Sequence, residues 1–119
     1  VVLAARSVDN QSNKSIIHNY KTTALLKSQE LLAYNLTRWW LGDYYLTYPE
    51  ITVEDEVKSV LSSDSHFLPG PLPLLRDSAD KMKRGFVVRD RNYLSARWPG
   101  DIYRFSFELI DMIKTIRPI

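Results

Sequence analysis

The chain carries no cysteine and only two histidines, so the chemistry open to it is narrow. Without a thiol, these residues can hold no disulfide framework, no thiolate zinc site and no thiol nucleophile. His18 and His66 stand far apart, in strand-edge and loop contexts, with no clustered carboxylates beside them to complete a metal site. The expected reading of both is an ordinary surface or hydrogen-bonded histidine, with a stand-alone enzyme working through either one as the outlying alternative. No serine sits in a Gly-x-Ser-x-Gly elbow, and no Gly-x-Gly-x-x-Gly or other phosphate-cradling loop occurs. The acidic run Glu54-Asp55-Glu56 is expected to be a solvated helix turn rather than a catalytic carboxylate pair.

Two constellations hold more. Trp39, Trp40, Tyr44, Tyr45 and Tyr48 could line a ligand pocket or a subunit contact, since such side chains bury large areas while keeping a polar tip; packing in a core is the expected reading. The turn Arg97-Trp98-Pro99-Gly100-Asp101 joins a strand to a helix, where backbone N–H groups can face an anion. The plainer alternative is that Pro99 and Gly100 make a corner and Asp101 caps the next helix.

The elements that must position these residues follow from periodicity and punctuation. Val1 to Ala5 is apolar and helix-compatible, ended by the polar run Ser7 to Ser15, so the chain is expected to open inside an element, with its natural start upstream. Lys21-Thr-Thr-Ala-Leu25 is expected to be a short strand. A helix is expected over Lys27 to Trp40, with Leu31, Leu32, Leu36 and Trp39 near the 3.6 period and Gly42 as its stop. After the irregular aromatic stretch Asp43 to Pro49, Thr52 with Asp55 three residues on marks a helix start, and Val53, Val57, Val60 and Leu61 form its apolar face. Ser62 to Lys83, with Pro69, Gly70, Pro71 and Pro73, is expected to be a long surface loop. Phe86 to Ala96 is expected to be a hairpin around Asp90-Arg91-Asn92. The last helix would share Ile102, Phe105, Leu109, Ile113 and Ile116 on one face and end before Pro118.

Composition bounds the rest. The 119 residues, 45% hydrophobic and 25% charged, suit one small globular domain. Sixteen basic against fourteen acidic residues leave a formal charge of +2, too little and too dispersed for a nucleic-acid surface. No apolar stretch approaches the ~20 residues of a membrane span, and no basic-then-apolar leader opens the sequence. A soluble, cytoplasmic chain with no nucleic-acid or membrane partner is therefore expected. The sequons at Asn10, Asn13 and Asn35 are short enough to arise by chance and carry no expectation of glycosylation.

Three segments, in order, resemble the C-terminal part of the ThiJ/PfpI family of the class I glutamine amidotransferase-like superfamily. Val1-Val-Leu-Ala-Ala-Arg-Ser7 is similar to the helix directly after that family's nucleophile elbow. Lys21-Thr-Thr-Ala-Leu25 is similar to the strand that follows. Phe86-Val-Val-Arg-Asp-Arg-Asn-Tyr-Leu-Ser-Ala-Arg-Trp-Pro-Gly-Asp101 resembles the family's closing hairpin, with the final helix after it, and the aromatic segment Trp39 to Pro49 fits a subgroup in which this region is enlarged. Two positions depart from the pattern. Ala24 follows Thr22-Thr23 where some relatives carry a His, and Arg91 stands where the turn often has Gly, at a cost of about 1 kcal/mol if its φ is positive.

The resemblance implies an α/β fold, residues 1–119 forming the C-terminal portion of a flavodoxin-like three-layer sandwich that lacks the N-terminal strands and the nucleophile elbow. The reactive Cys would lie just before Val1, as a low-pKa thiolate attacking an electrophilic carbon with backbone N–H groups on the oxyanion. This chain would be inactive alone, within a cysteine-dependent hydrolase, amidase or glyoxalase-type protein acting on a small molecule or peptide. Its own share would be a substrate-pocket wall of Thr23, Arg97, Trp98 and Pro99. No cofactor and no metal are expected, and a homodimer is compatible with the family. The alternative is a non-catalytic binding or assembly subunit of the same fold.

Overall fold

A computed structural model describes residues 1–46, 48 and 50–116 of the chain. Its closed side is built on helix α1 (Val2–Arg6) and helix α3 (Val53–Val60). Val57 is fully buried, and Ala5, Ile17, Ala24, Leu26, Val53, Leu61 and Phe67 surround it as one apolar cluster. Removing one such side chain from water contributes about 1.5–3 kcal/mol. The start of α3 is well satisfied: the Thr52 hydroxyl accepts the Asp55 N–H at 3.3 Å, and the buried Glu30 carboxylate accepts the Val53 N–H at 3.3 Å. The expected Thr52 cap is therefore present, and of the expected face Val53, Val57 and Leu61 are buried and Val60 is half-buried against the cluster.

Helix α2 (Lys27–Leu41) ends at Gly42, whose φ of 58° suits a residue without a Cβ. Its one fully buried residue is Glu30, while Leu32 and Leu36 are exposed. The apolar row expected to seat α2 on a core thus faces outward along most of its length. The aromatic cluster shares this fate, since Trp39 is 82% exposed, Trp40 69% and Tyr44 73%. Core packing of Trp39, Trp40 and Tyr44 is overturned because, among the described residues, nothing covers the outer side of α2. Tyr48 is the exception, half-buried with the Arg6 guanidinium 4.2 Å above its ring.

The strands are short. The polar run after α1 folds as a small antiparallel pair, β1 (Val8–Asp9) with β2 (Lys14–Ser15). Asp9 closes it by accepting the Gln11 and Ser12 N–H groups and the Ser12 hydroxyl, which hold its carboxyl below the usual range. The expected strand Lys21–Leu25 is reduced to a single parallel bridge, Thr22 to Phe67, in which the Thr22 N–H donates to the His66 carbonyl and the Leu68 N–H to the Thr22 carbonyl, both at 2.9 Å. The next residue presents its amide to the opposite edge, where the Thr23 N–H donates to Ser95 Oγ at 3.0 Å.

The segment 62–83 is more than a surface loop. Phe67 is buried in the core, and Asp77 is buried against the last helix. Strands β3 (Val87–Asp90) and β4 (Tyr93–Ala96) form the expected hairpin, paired from Val87–Ala96 to Asp90–Tyr93. Arg91 has a φ of 56°, and a positive φ at the first of two loop residues alone is the φ signature of a type II′ turn. Its guanidinium offsets that strain by donating to the Asn19 carbonyl at 2.7 Å and lying 3.9 Å from the Tyr20 ring centre.

Helix α4 (Ile102–Ile116) packs on this hairpin the reverse way from its pattern. Its buried residue is Met112, and the side turned to β3 carries Glu108 and Asp111, both held by Arg89, with Arg104 pairing Glu108 at 2.9 Å. Ile102, Leu109, Ile113 and Ile116, expected on the inner face with Phe105, are exposed; Phe105 is half-buried. The architecture is thus mixed helix and sheet, with small sheets. Thr47, Pro49 and Pro118, which belong to the expected aromatic stretch and the expected helix end, lie outside the described residues. Among the described residues no helix is long and apolar enough to cross a membrane.

Candidate functional site

The residues singled out at the strand-to-helix turn are built around one buried ion pair. Arg97 and Asp101 have side chains 1% and 0% exposed. The guanidinium donates through Nε and Nη2 to the two carboxylate oxygens, each at 3.1 Å, and through Nη1 to the carbonyls of Pro69 and Pro71. Asp101 also accepts the Arg97 N–H at 3.1 Å and the Phe86 N–H at 3.0 Å. A buried pair tolerates desolvation only when its remaining lone pairs and protons are satisfied, and here nearly all are.

Asp101 is therefore no helix cap. That work falls to Asp77, whose oxygens accept the Tyr103 N–H at 3.2 Å and the Arg104 N–H at 2.7 Å at the start of α4. The short 3₁₀ turn Pro99–Asp101 leads into that helix, with Trp98 lying against Gly100 so closely that a Cβ there would come within 2.2 Å of the indole.

Two clefts border the turn. One, of ≈ 390 Å³, is lined by Val1, Leu94, Ala96, Trp98, Ile102 and Phe105, with Ser95, Arg97 and Asp101 at its base. The other, of ≈ 310 Å³, brings Val1 and Leu3 of the first segment against Ala24 and Leu25 of the second and Ala96 and Arg97 of the third. Of the four wall residues, Arg97 lines both clefts and Trp98 the larger, whereas Thr23 and Pro99 line neither. Pro99 is exposed and Thr23 is fully buried behind Ala24. Arg97 and Asp101 neutralise each other within the wall. Thr23 Oγ1 and Trp98 Nε1 are buried and have no hydrogen-bond partner among the described residues.

Behind the clefts, hydroxyls join the hairpin to the bridge: Thr22 Oγ1 lies 2.9 Å from the Tyr93 hydroxyl and donates to Ser95 Oγ at 3.2 Å. Burial pushes the Tyr93 phenol pKa up, with the hydrogen bonds to Thr22 and Ser95 opposing it. Sequence reasoning missed Asp77, Tyr93 and Ser95. The inward parity of Ser95 on β4 was a usable signal for that residue, but nothing local marks Asp77.

The remaining candidates take structural roles. His18 Nδ1 donates to the Val60 carbonyl at 2.7 Å, which ties the segment after β2 to the end of α3, and His66 Nδ1 lies 3.1 Å from Ser62 Oγ. No group of three potential metal ligands occurs among the described residues. Glu54, Asp55 and Glu56 pair with Lys58, Lys27 and Arg6 respectively, and the Lys27 ammonium holds the Asp55 carboxyl below its usual range.

No protein-family model, no curated protein and no solved structure matches the chain.

Proposed function

We propose that this chain is the scaffold half of a ThiJ/PfpI-like domain of flavodoxin-like architecture, contributing a pocket wall to a cysteine-dependent centre whose thiolate lies on another stretch of polypeptide. The observation that carries the reading is the ≈ 310 Å³ cleft in which the three resembling segments meet at Val1, Ala24 and Arg97. They are far apart in sequence, and no local rule requires their convergence. The wall, in which Arg97 and Asp101 neutralise each other, suits an uncharged part of a small molecule or peptide under hydrolase, amidase or glyoxalase-type chemistry, with the Trp98 indole N–H as its unengaged polar group. Arg97 acts as a staple holding the wall, since its guanidinium is engaged by Asp101 and the Pro69–Pro71 carbonyls. Sequencing the reading frame ahead of Val1 tests the proposal. The expected result is a strand ending in a cysteine-bearing elbow immediately before it, and a frame without one overturns the reading.

A second reading, a non-catalytic binding or assembly subunit of the same fold, is favoured by the exposed rings of Trp39, Trp40 and Tyr44. It requires the separated chain to be folded and to bind a partner through that segment. An isolated chain that aggregates, while co-expression with an N-terminal half rescues it, rules this reading out.

A further inference from the structure

Between the buried Phe67 and strand β3 the chain leaves the body of the protein as two short loops that share one base. Gly70 lies against the Phe86 ring, and Gly85 against Asp77 and the Arg104 side chain, each so close that a Cβ would clash. Asp77 is the foot common to both loops. Its N–H donates to the Gly100 carbonyl at 2.7 Å, and its carboxylate holds the Tyr103 and Arg104 amides. Neither loop strays far from these feet, so every Cα of both lies within about 14 Å of the base.

The first loop presents leucines. Leu72, Leu74 and Leu75 are 58–73% exposed, while Pro71 and Pro73 restrict the backbone that carries them. The Leu74 N–H donates to the Leu72 carbonyl at 3.0 Å, and Arg97 fixes the Pro69 and Pro71 carbonyls. The tip is thus held in shape without burying its apolar side chains. The second loop presents cations. Lys81, Lys83 and Arg84, with Arg76 where the loops meet, are exposed, and none forms an ion pair among the described residues. Asp80 is the only exposed carboxylate of these loops, since Asp77 is buried. With a formal charge of only +2 on the whole chain, this concentration of unpaired cations is local.

We infer that the two loops are a docking surface for the anionic headgroup face of a lipid bilayer, with the three leucines entering the acyl boundary and Arg76, Lys81, Lys83 and Arg84 lying among the headgroups. Apolar insertion or basic attraction alone attaches a protein marginally, whereas the two together hold it. Tyr103, exposed beside Asp77, is of the type that sits at that boundary. Such a surface lies on a bilayer without spanning it, so the shortness of the apolar stretches does not exclude it. An acidic protein partner would need a pocket fitted to three leucines, whereas a fluid acyl layer needs no matching shape. The docking does not depend on the pocket proposed above.

The test is co-sedimentation of the full chain with vesicles of phosphatidylcholine and phosphatidylserine, and with vesicles of phosphatidylcholine alone. Wild type is expected to bind the anionic vesicles at least about tenfold tighter than the neutral ones, and added salt should weaken that binding. Leu72→Ser/Leu74→Ser should bind more than about tenfold weaker. Lys81→Gln/Lys83→Gln should bind about thirtyfold weaker, from roughly fivefold per cation. All four sites are exposed, so the far-ultraviolet circular dichroism of both variants should match wild type. Leu32→Ser/Leu36→Ser on α2 should bind as wild type does. Absence of binding to the anionic vesicles, equal binding to both kinds, or binding that either loop variant leaves undiminished overturns the inference. Binding to poly-L-glutamate but not to anionic vesicles assigns the loops to an acidic protein partner and overturns it. Self-association in place of vesicle binding, abolished by Leu72→Ser/Leu74→Ser, assigns them to a second copy and overturns it as well.

Discussion

Helix α3 sends Val53 and Val57 into the core and leaves Glu54 and Lys58 paired at its rim, whereas α4 turns Glu108 and Arg104 toward the hairpin and leaves Leu109 and Ile113 in the open. Both sequences have a strongly one-sided helical pattern. The difference lies in what holds them. α3 is seated by apolar burial, with a hydroxyl and a carboxylate at its start. α4 is held by polar groups: Asp77 on its first amides, the Arg97–Asp101 pair just ahead of it, and Arg89 on Glu108 and Asp111. An apolar stripe states that a face will be covered, and the covering element need not belong to the same stretch of chain.

The comparison breaks most severely at the polar anchor. Asp101→Ala leaves the Arg97 guanidinium buried without its counter-charge, and urea unfolding should show a loss of about 3–5 kcal/mol. Next comes the apolar seat, where Val57→Ala should cost about 2–3 kcal/mol by the same measurement. Ile113→Ala on the open face of α4 should change stability by no more than about 0.5 kcal/mol. If Val57→Ala and Ile113→Ala proved equally costly, the contrast between a covered and an uncovered helix would fail.

The smallest expected effect is alkaline and sits at the hydroxyl junction between the two regions. Burial raises the folded-state pKa of Tyr93 above its ordinary value near 10. Its contribution to stability is therefore fully present below pH ~10 and is lost as the pH rises through the folded value. Comparing wild type with Tyr93→Phe in urea titrations between pH 8 and 11 should show a steeper alkaline loss for wild type. Parallel curves would mean that the phenol is not protected by the fold.

What could be read in the sequence was whatever is encoded within a few residues. The Thr52–Asp55 spacing, the Gly42 stop and the Asp90–Tyr93 hairpin each appear where local rules place them. The misplaced parts depend on long-range partners. Asp101 looked like a cap because it precedes a helix, yet the cap is Asp77, delivered by a proline-rich segment with no periodicity to read. The segment Lys21–Leu25 has strand composition, but β pairing needs neighbours on its edges, and it found one rung with Phe67 on one edge and the Ser95 side chain on the other. The Trp39 and Trp40 rings are apolar enough for a core, and composition cannot say whether a core reaches them. The candidate site shares this limit: Arg97 and Trp98 were identifiable as an unusual turn, but the saturation of Arg97 by two proline carbonyls follows only from the fold.

Trp98 and Gly100 impose an order on change. With the indole 2.2 Å from where a Cβ at position 100 would lie, any larger residue there must displace the ring, so the two positions are coupled. A lineage could replace Gly100 only after Trp98 had already become smaller. Of the two mutational routes between the present pair and a substituted one, the order that shrinks Trp98 first avoids the clash.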